Sequence, residues 1–81
     1  LAYAVVVYGT RRPWGAFTQR TAFLGADPAT AYQRYTAVAR QRWAAGLLVH
    51  GVVMYRVDQC GMDPLFAWAR HRRWWDRVLG R

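Results

Sequence analysis

The sequence predicts a mainly α-helical chain: an extended N-terminal segment, a long helix over about 28–56, and an amphipathic Arg/Trp helix over about 64–79. Three observations predict it. Asp-Pro occurs twice, at Asp27-Pro28 and Asp63-Pro64. Each pair offers a carboxylate to the unpaired amides of a helix start, then a residue that needs no donor in the first turn. Behind both pairs, apolar side chains recur at helical spacing. An α+β alternative, in the order β-β-α-β-α with 47–57 as a strand, follows if Gly46 ends the first helix. Eighty-one residues make one small domain or subunit, 1–81.

Leu1 to Tyr8 is apolar on both strand faces and reads as a buried strand or the end of a longer apolar element. Gly9 to Gly15 is a turn or loop, because Pro13 fixes its own φ and restricts Arg12. Ala16 to Leu24 reads as a second strand with Phe17 and Phe23 on the same side. From Pro28 the wheel puts Ala31, Tyr32, Tyr35, Val38, Ala39 and Trp43 on one side, with Thr30, Gln33, Arg34, Ala37, Arg40 and Gln41 on the other. Leu47 to Val57 either continues this helix or forms a Val-rich strand bulged near Gly51. The last helix gathers Ala67, Trp68, His71, Trp74, Trp75, Val78 and Leu79 on one face, opposite Arg70, Arg73 and Arg77. A spacing of thirty-six residues relates Gly15, Arg20, Gly25, Asp27, Pro28, Ala31 and Arg34 to Gly51, Arg56, Gly61, Asp63, Pro64, Ala67 and Arg70, which suggests two strand–helix units.

The net charge is +8, and all twelve cationic side chains are arginine. The chain has no Lys, Glu, Ser, Asn or Ile. Such a balance calls for an electronegative partner, and guanidinium groups suit phosphate and aromatic faces better than ammonium groups do. An Arg-only composition is also what a high-GC genome produces. A start at Leu1 is expected of a fragment or of a mature product whose targeting segment is gone; no signal peptide is visible. Cys60 is the single cysteine, so no internal disulfide is expected.

Catalysis is not expected. There is no serine nucleophile, no glutamate for a carboxylate pair, and no P-loop lysine in Gly9 to Gly15. Cys60 with His50, His71 or Asp58 has no spacing that marks a nucleophilic pair or metal site, and each reads more simply as a turn or packed residue. No cofactor, metal or catalytic residue is assigned.

Docking is the stronger expectation. Trp43, Leu47, Leu48, Val52, Val53, Tyr55, Trp68, Trp74, Trp75 and Leu79 are the candidates for contact with a membrane or a partner, and Arg11, Arg12, Arg70, Arg73 and Arg77 for contact with an anionic one. The Arg-free run from Trp43 to Tyr55 would reach roughly 20 Å as a helix, short of a ~30 Å hydrocarbon core. In layout, the basic Pro-Trp segment (Arg11-Arg12-Pro13-Trp14-Gly15), the apolar run and the Arg/Trp-rich tail (Trp68 to Arg77) resemble small accessory subunits of respiratory-type membrane complexes. That resemblance implies a non-catalytic accessory subunit, with other protein subunits and anionic lipid as partners and an organellar inner membrane as location. A cytoplasmic nucleic-acid-binding domain using the Arg face is the alternative, and an adaptor for an acidic protein is a second one.

Overall fold

The computed structural model describes residues 1–70, and they form an antiparallel sheet with one helix on it. The elements are β1 (Ala2–Thr10), β2 (Thr18–Gly25), α1 (Pro28–Ala39), β3 (Trp43–Ala44), β4 (Leu47–Asp58) and β5 (Gly61–Ala69). β1 lies between β2 and β4, and both β3 and β5 pair with the far side of β4. The connection from β2 through α1 to β4 therefore passes over β1.

The mainly α expectation is corrected by this arrangement. The helix stops at Ala39 rather than running to 56, and 64–69 is strand rather than the start of a helix. The rest of the 64–79 helix, with His71, Arg73, Trp74, Trp75, Arg77 and Leu79, lies outside the described residues. The alternative order shares a strand at 47–57 with the structure, but its closing helix is replaced by β5 as far as Ala69.

Physical causes are local and specific. Val49, Val52, Val53 and Val57 are β-branched, which costs more rotamer freedom in a helix than on a pleated surface, where such side chains pack well. Their strand is anchored on both sides, along β1 from Ala2↔Val57 to Thr10↔Leu48 and along β5 from Gly51↔Ala69 to Asp58↔Gly61. The chain leaves α1 because the Arg42 carbonyl accepts from Val49 N–H at 2.9 Å and Trp43 pairs with Leu48. Asp63 does not cap a helix; it meets Arg56 across the strands at 3.0 Å, which raises the arginine pKa. Pro64 sits on the sheet edge opposite Tyr55, where a missing N–H breaks no ladder. The thirty-six-residue spacing thus joins a strand–helix unit to a strand–strand unit and marks no structural repeat.

The first Asp-Pro does start a helix. Asp27 accepts from Ala29 N–H, Thr30 N–H and the Thr30 hydroxyl, and Pro28 is the first helical residue. These bonds, led by the Thr30 hydroxyl, hold the Asp27 carboxylate below its ordinary pKa. Because the folded pKa is the lower one, this stabilisation is present above the unfolded carboxylate range and is lost as pH falls through the folded value. An Asp27→Ala variant should therefore melt below wild type at neutral pH. The gap in melting temperature should close on acidification.

Ala45 and Gly46 form the two-residue turn from β3 to β4, with φ of 52° and 78°. Consecutive positive φ values are those of a type I′ hairpin turn, which Asn-Gly suits and alanine does not. Ala45→Asn should raise stability by about 0.5–1 kcal/mol in chemical unfolding.

α1 covers one sheet face. Val5, Val7, Leu47, Val49, Val52 and Met54 pack under Ala31 and Val38, with Tyr35, Phe23 and Trp68 around them. Ala4, Val6 and Val53 are also buried, although they alternate onto the other face. The run 4–7 is apolar without alternation because β1 is a central strand with both faces withdrawn from water.

Candidate functional site

Strand directions sort the charges. β1 ends, β2 begins, α1 ends, β4 begins and β5 ends at one edge of the domain. That edge holds Arg11 and Arg12 in the β1–β2 loop, Arg20 near the start of β2, Arg40 and Arg42 after α1, and Arg70 after β5. Among the described residues, the acids Asp27, Asp58 and Asp63 all lie toward the opposite edge, where Asp63 is already matched by Arg56. Among the described residues, one end of the sheet is therefore cationic without a compensating carboxylate.

The loop at this end is built rather than loose. Thr10, almost fully buried, donates its hydroxyl proton to the Arg12 carbonyl. Its oxygen lies 3.3 Å from His50 Nε2, so with its own proton committed it accepts from that nitrogen. Phe17 then meets the His50 ring edge-on, with centroids 5.0 Å apart. His50 reaches this position because it is the extra residue of a bulge: Tyr8 pairs with Gly51, and Gly9 with Val49. Thr10→Val removes the hydroxyl that donates to the Arg12 carbonyl. It should cost about 1–2 kcal/mol in denaturant unfolding, with faster proteolysis in the 11–17 loop.

Aromatic rings share the cationic end. Trp14 is 70% exposed and Phe17 49%, and with Arg11 and Arg12 they line a cleft of about 420 Å³. Arg70 donates its amide to the His50 carbonyl and a guanidinium N–H to the Val49 carbonyl, and it lies 5.9 Å from the Trp68 ring centre. Arg20 is turned toward the hairpin, donating to the Ala45 carbonyl at 3.2 Å.

On the face away from α1, the central strands contribute Tyr8 and Tyr55, whose hydroxyls are 2.6 Å apart. Burial, and then the bond to Tyr55, push the Tyr8 phenol well above its ordinary pKa, so it stays neutral. Beside the pair is a second cavity, of about 360 Å³.

No protein-family model, curated protein or solved structure matches this chain.

The structure divides the residues expected to dock. Leu47 and Val52 are fully buried beneath α1, and Val53 is fully buried on the other face. Leu48, Tyr55 and Trp68 are partly exposed, and Trp43 is about half exposed on β3. The run 43–55 is thus the heart of a sheet. Among the described residues, no helix is long and apolar enough to cross a membrane. Arg11, Arg12 and Arg70, by contrast, come together at one end. Cys60 and His50 lie at opposite ends of β4. Cys60 N–H donates to Asp58 in the β4–β5 turn, and no three potential metal ligands cluster among the described residues.

Thr10, Phe17 and Tyr8 were missed as site residues. A signal for two of them was present: strand alternation along Ala4, Val6, Tyr8 and Thr10 puts both polar groups on one face.

Proposed function

We propose that the chain is a non-catalytic binding module whose arginine-rich end holds the phosphates of a single-stranded nucleic acid. The observation that carries this is the separation of charge: six arginines, Arg11, Arg12, Arg20, Arg40, Arg42 and Arg70, at one end and every described carboxylate toward the other. Arginines at such an end neutralise phosphates and release counterions. Exposed Trp14 and Phe17 rings beside them suit unpaired bases, which offer a π-face that duplex DNA hides. An anionic membrane would use the same charges, but it also needs an apolar surface to insert. The apolar run 43–55 is spent largely inside the sheet.

The test is titration of Trp fluorescence with single-stranded 8-mers from 50 to 300 mM salt, against vesicles containing anionic lipid. Oligonucleotide affinity that falls with salt at a log–log slope of about −2 to −4 supports the reading. Vesicle binding with no oligonucleotide binding at low salt overturns it.

A second reading, an accessory subunit contacting another protein, is favoured by one separate feature. On the helix side, Tyr32, Tyr35 and Phe66 form an aromatic cluster with centroids 5.1 to 6.1 Å apart, and Tyr32 and Phe66 remain nearly half exposed. Gel filtration of the tagged chain from its source decides it. Elution in a complex that Phe66→Ser reduces to monomer size supports a subunit contact, and elution as a monomer overturns it.

A further inference from the structure

We infer that the cavity beside Tyr8 and Tyr55 is a pocket for one unstacked nucleobase of the bound strand; this rests on the nucleic-acid reading above. The cavity is about 360 Å³, which is roomy enough for a purine or a pyrimidine with accompanying water. Its walls combine the two surfaces a base requires. Val6 and Met62 supply apolar area, and Tyr8 and Tyr55 supply aromatic rings tied together at their hydroxyls. Gln19 and Thr21, on the same face of β2, add an amide and a hydroxyl, and neither side chain makes a hydrogen bond within the described residues. An amide presents a donor and an acceptor side by side, which is the pattern that pairs with the edge of a base.

Position strengthens the case. Gln19 lies one residue into β2, directly after the loop that carries Arg11, Arg12, Trp14 and Phe17. A strand whose phosphates lie on that loop can turn one base onto the sheet face while neighbouring bases stack on Trp14 or Phe17. Stacking tolerates any base, whereas hydrogen bonds from Gln19 and Thr21 do not. The pocket would thus supply a base preference, and the arginines the affinity.

The experiment compares dA8, dC8 and dT8 at 100 mM salt for wild type and for the double variant Gln19→Leu, Thr21→Val. Both positions are solvent-facing residues of an edge strand, and circular dichroism verifies that the variant is folded. Wild type is expected to discriminate at least about tenfold between its best and worst oligonucleotide, and the variant to bind all three within about twofold. That pattern, with the salt slope unchanged, supports the pocket. Equal wild-type affinity for all three, or a preference that survives in the variant, overturns the pocket and leaves the arginine reading standing. Absence of binding to any of the three at low salt overturns both.

Discussion

Gly9→Ala should abolish folding or cost about 3 kcal/mol or more, a large effect for a single methyl group. A Cβ at position 9 would lie 2.0 Å from the Leu48 carbonyl oxygen and 2.9 Å from its carbon. Both are backbone atoms of the neighbouring central strand, so no side chain can swing aside. The close approach lies where the register between β1 and β4 shifts around the extra residue His50. Relieving it would undo the pairing of Gly9 with Val49 and of Thr10 with Leu48, and with it the anchoring of the basic loop. A chain of this length has about 4–12 kcal/mol of stability in total, so the loss is a large share. Urea unfolding followed by circular dichroism measures it. Gly15→Ala is the comparison: its Cβ meets nothing within 4 Å, and only the φ of +124° opposes it. The ordering is the point. If Gly9→Ala unfolds within about 0.5 kcal/mol of wild type, the bulged approach of β4 to β1 does not hold in solution.

The second large effect is on binding. Arg11→Gln combined with Arg12→Gln should weaken single-stranded oligonucleotide binding about 25-fold at 0.1 M salt, because each lost phosphate contact removes about 0.7 from the log–log salt slope. The slope itself should become shallower by about 1.4. Both residues border the solvent-open cleft that Trp14 and Phe17 also line, and both are exposed. Stability should therefore stay within about 0.5 kcal/mol of wild type, as for surface substitutions generally. Arg56→Gln is the single-charge control, since its guanidinium is engaged by Asp63 at the acidic end. A loss from Arg56→Gln about half, on a logarithmic scale, of that from the two-charge loop variant would mean that net charge, not the clustering of arginines, governs affinity.

Local chemistry was legible wherever one short segment decides it. Asp27-Pro28 starts a helix because cap and first turn lie within four residues, and Val5 to Val7 read as a buried strand because both faces are apolar. Asp63-Pro64 carries the same letters and does something else: Arg56, seven residues back, takes the carboxylate across a hairpin. Phe17 and Phe23 were expected on one side, yet Phe17 meets His50 while Phe23 packs on the core. The irregularity in β2 pairing at Val5/Val6 skips Ala22 and reverses the alternation between them. A bulge is a property of two strands in register: Gly51 marked the one beside it in β4, whereas no glycine marks the one that skips Ala22 in β2. The site was legible in its charges and not in its assembly. The arginines of the loop were visible as candidates for anion contact, whereas the Thr10–His50–Phe17 support joins residues from three segments.

Composition by itself determined that the chain is strongly cationic through arginine alone, that its single cysteine can close no internal disulfide, and that serine and glutamate are not among its side chains, because charge and functional groups do not depend on conformation. Tertiary structure decided the state of residues 43–58. A helix there would satisfy its backbone within its own segment. The strand satisfies it against β1 and β5, segments tens of residues distant on one side and immediately following on the other. Only when all three lie together does the valine-rich run gain more by pairing and packing under α1 than by coiling.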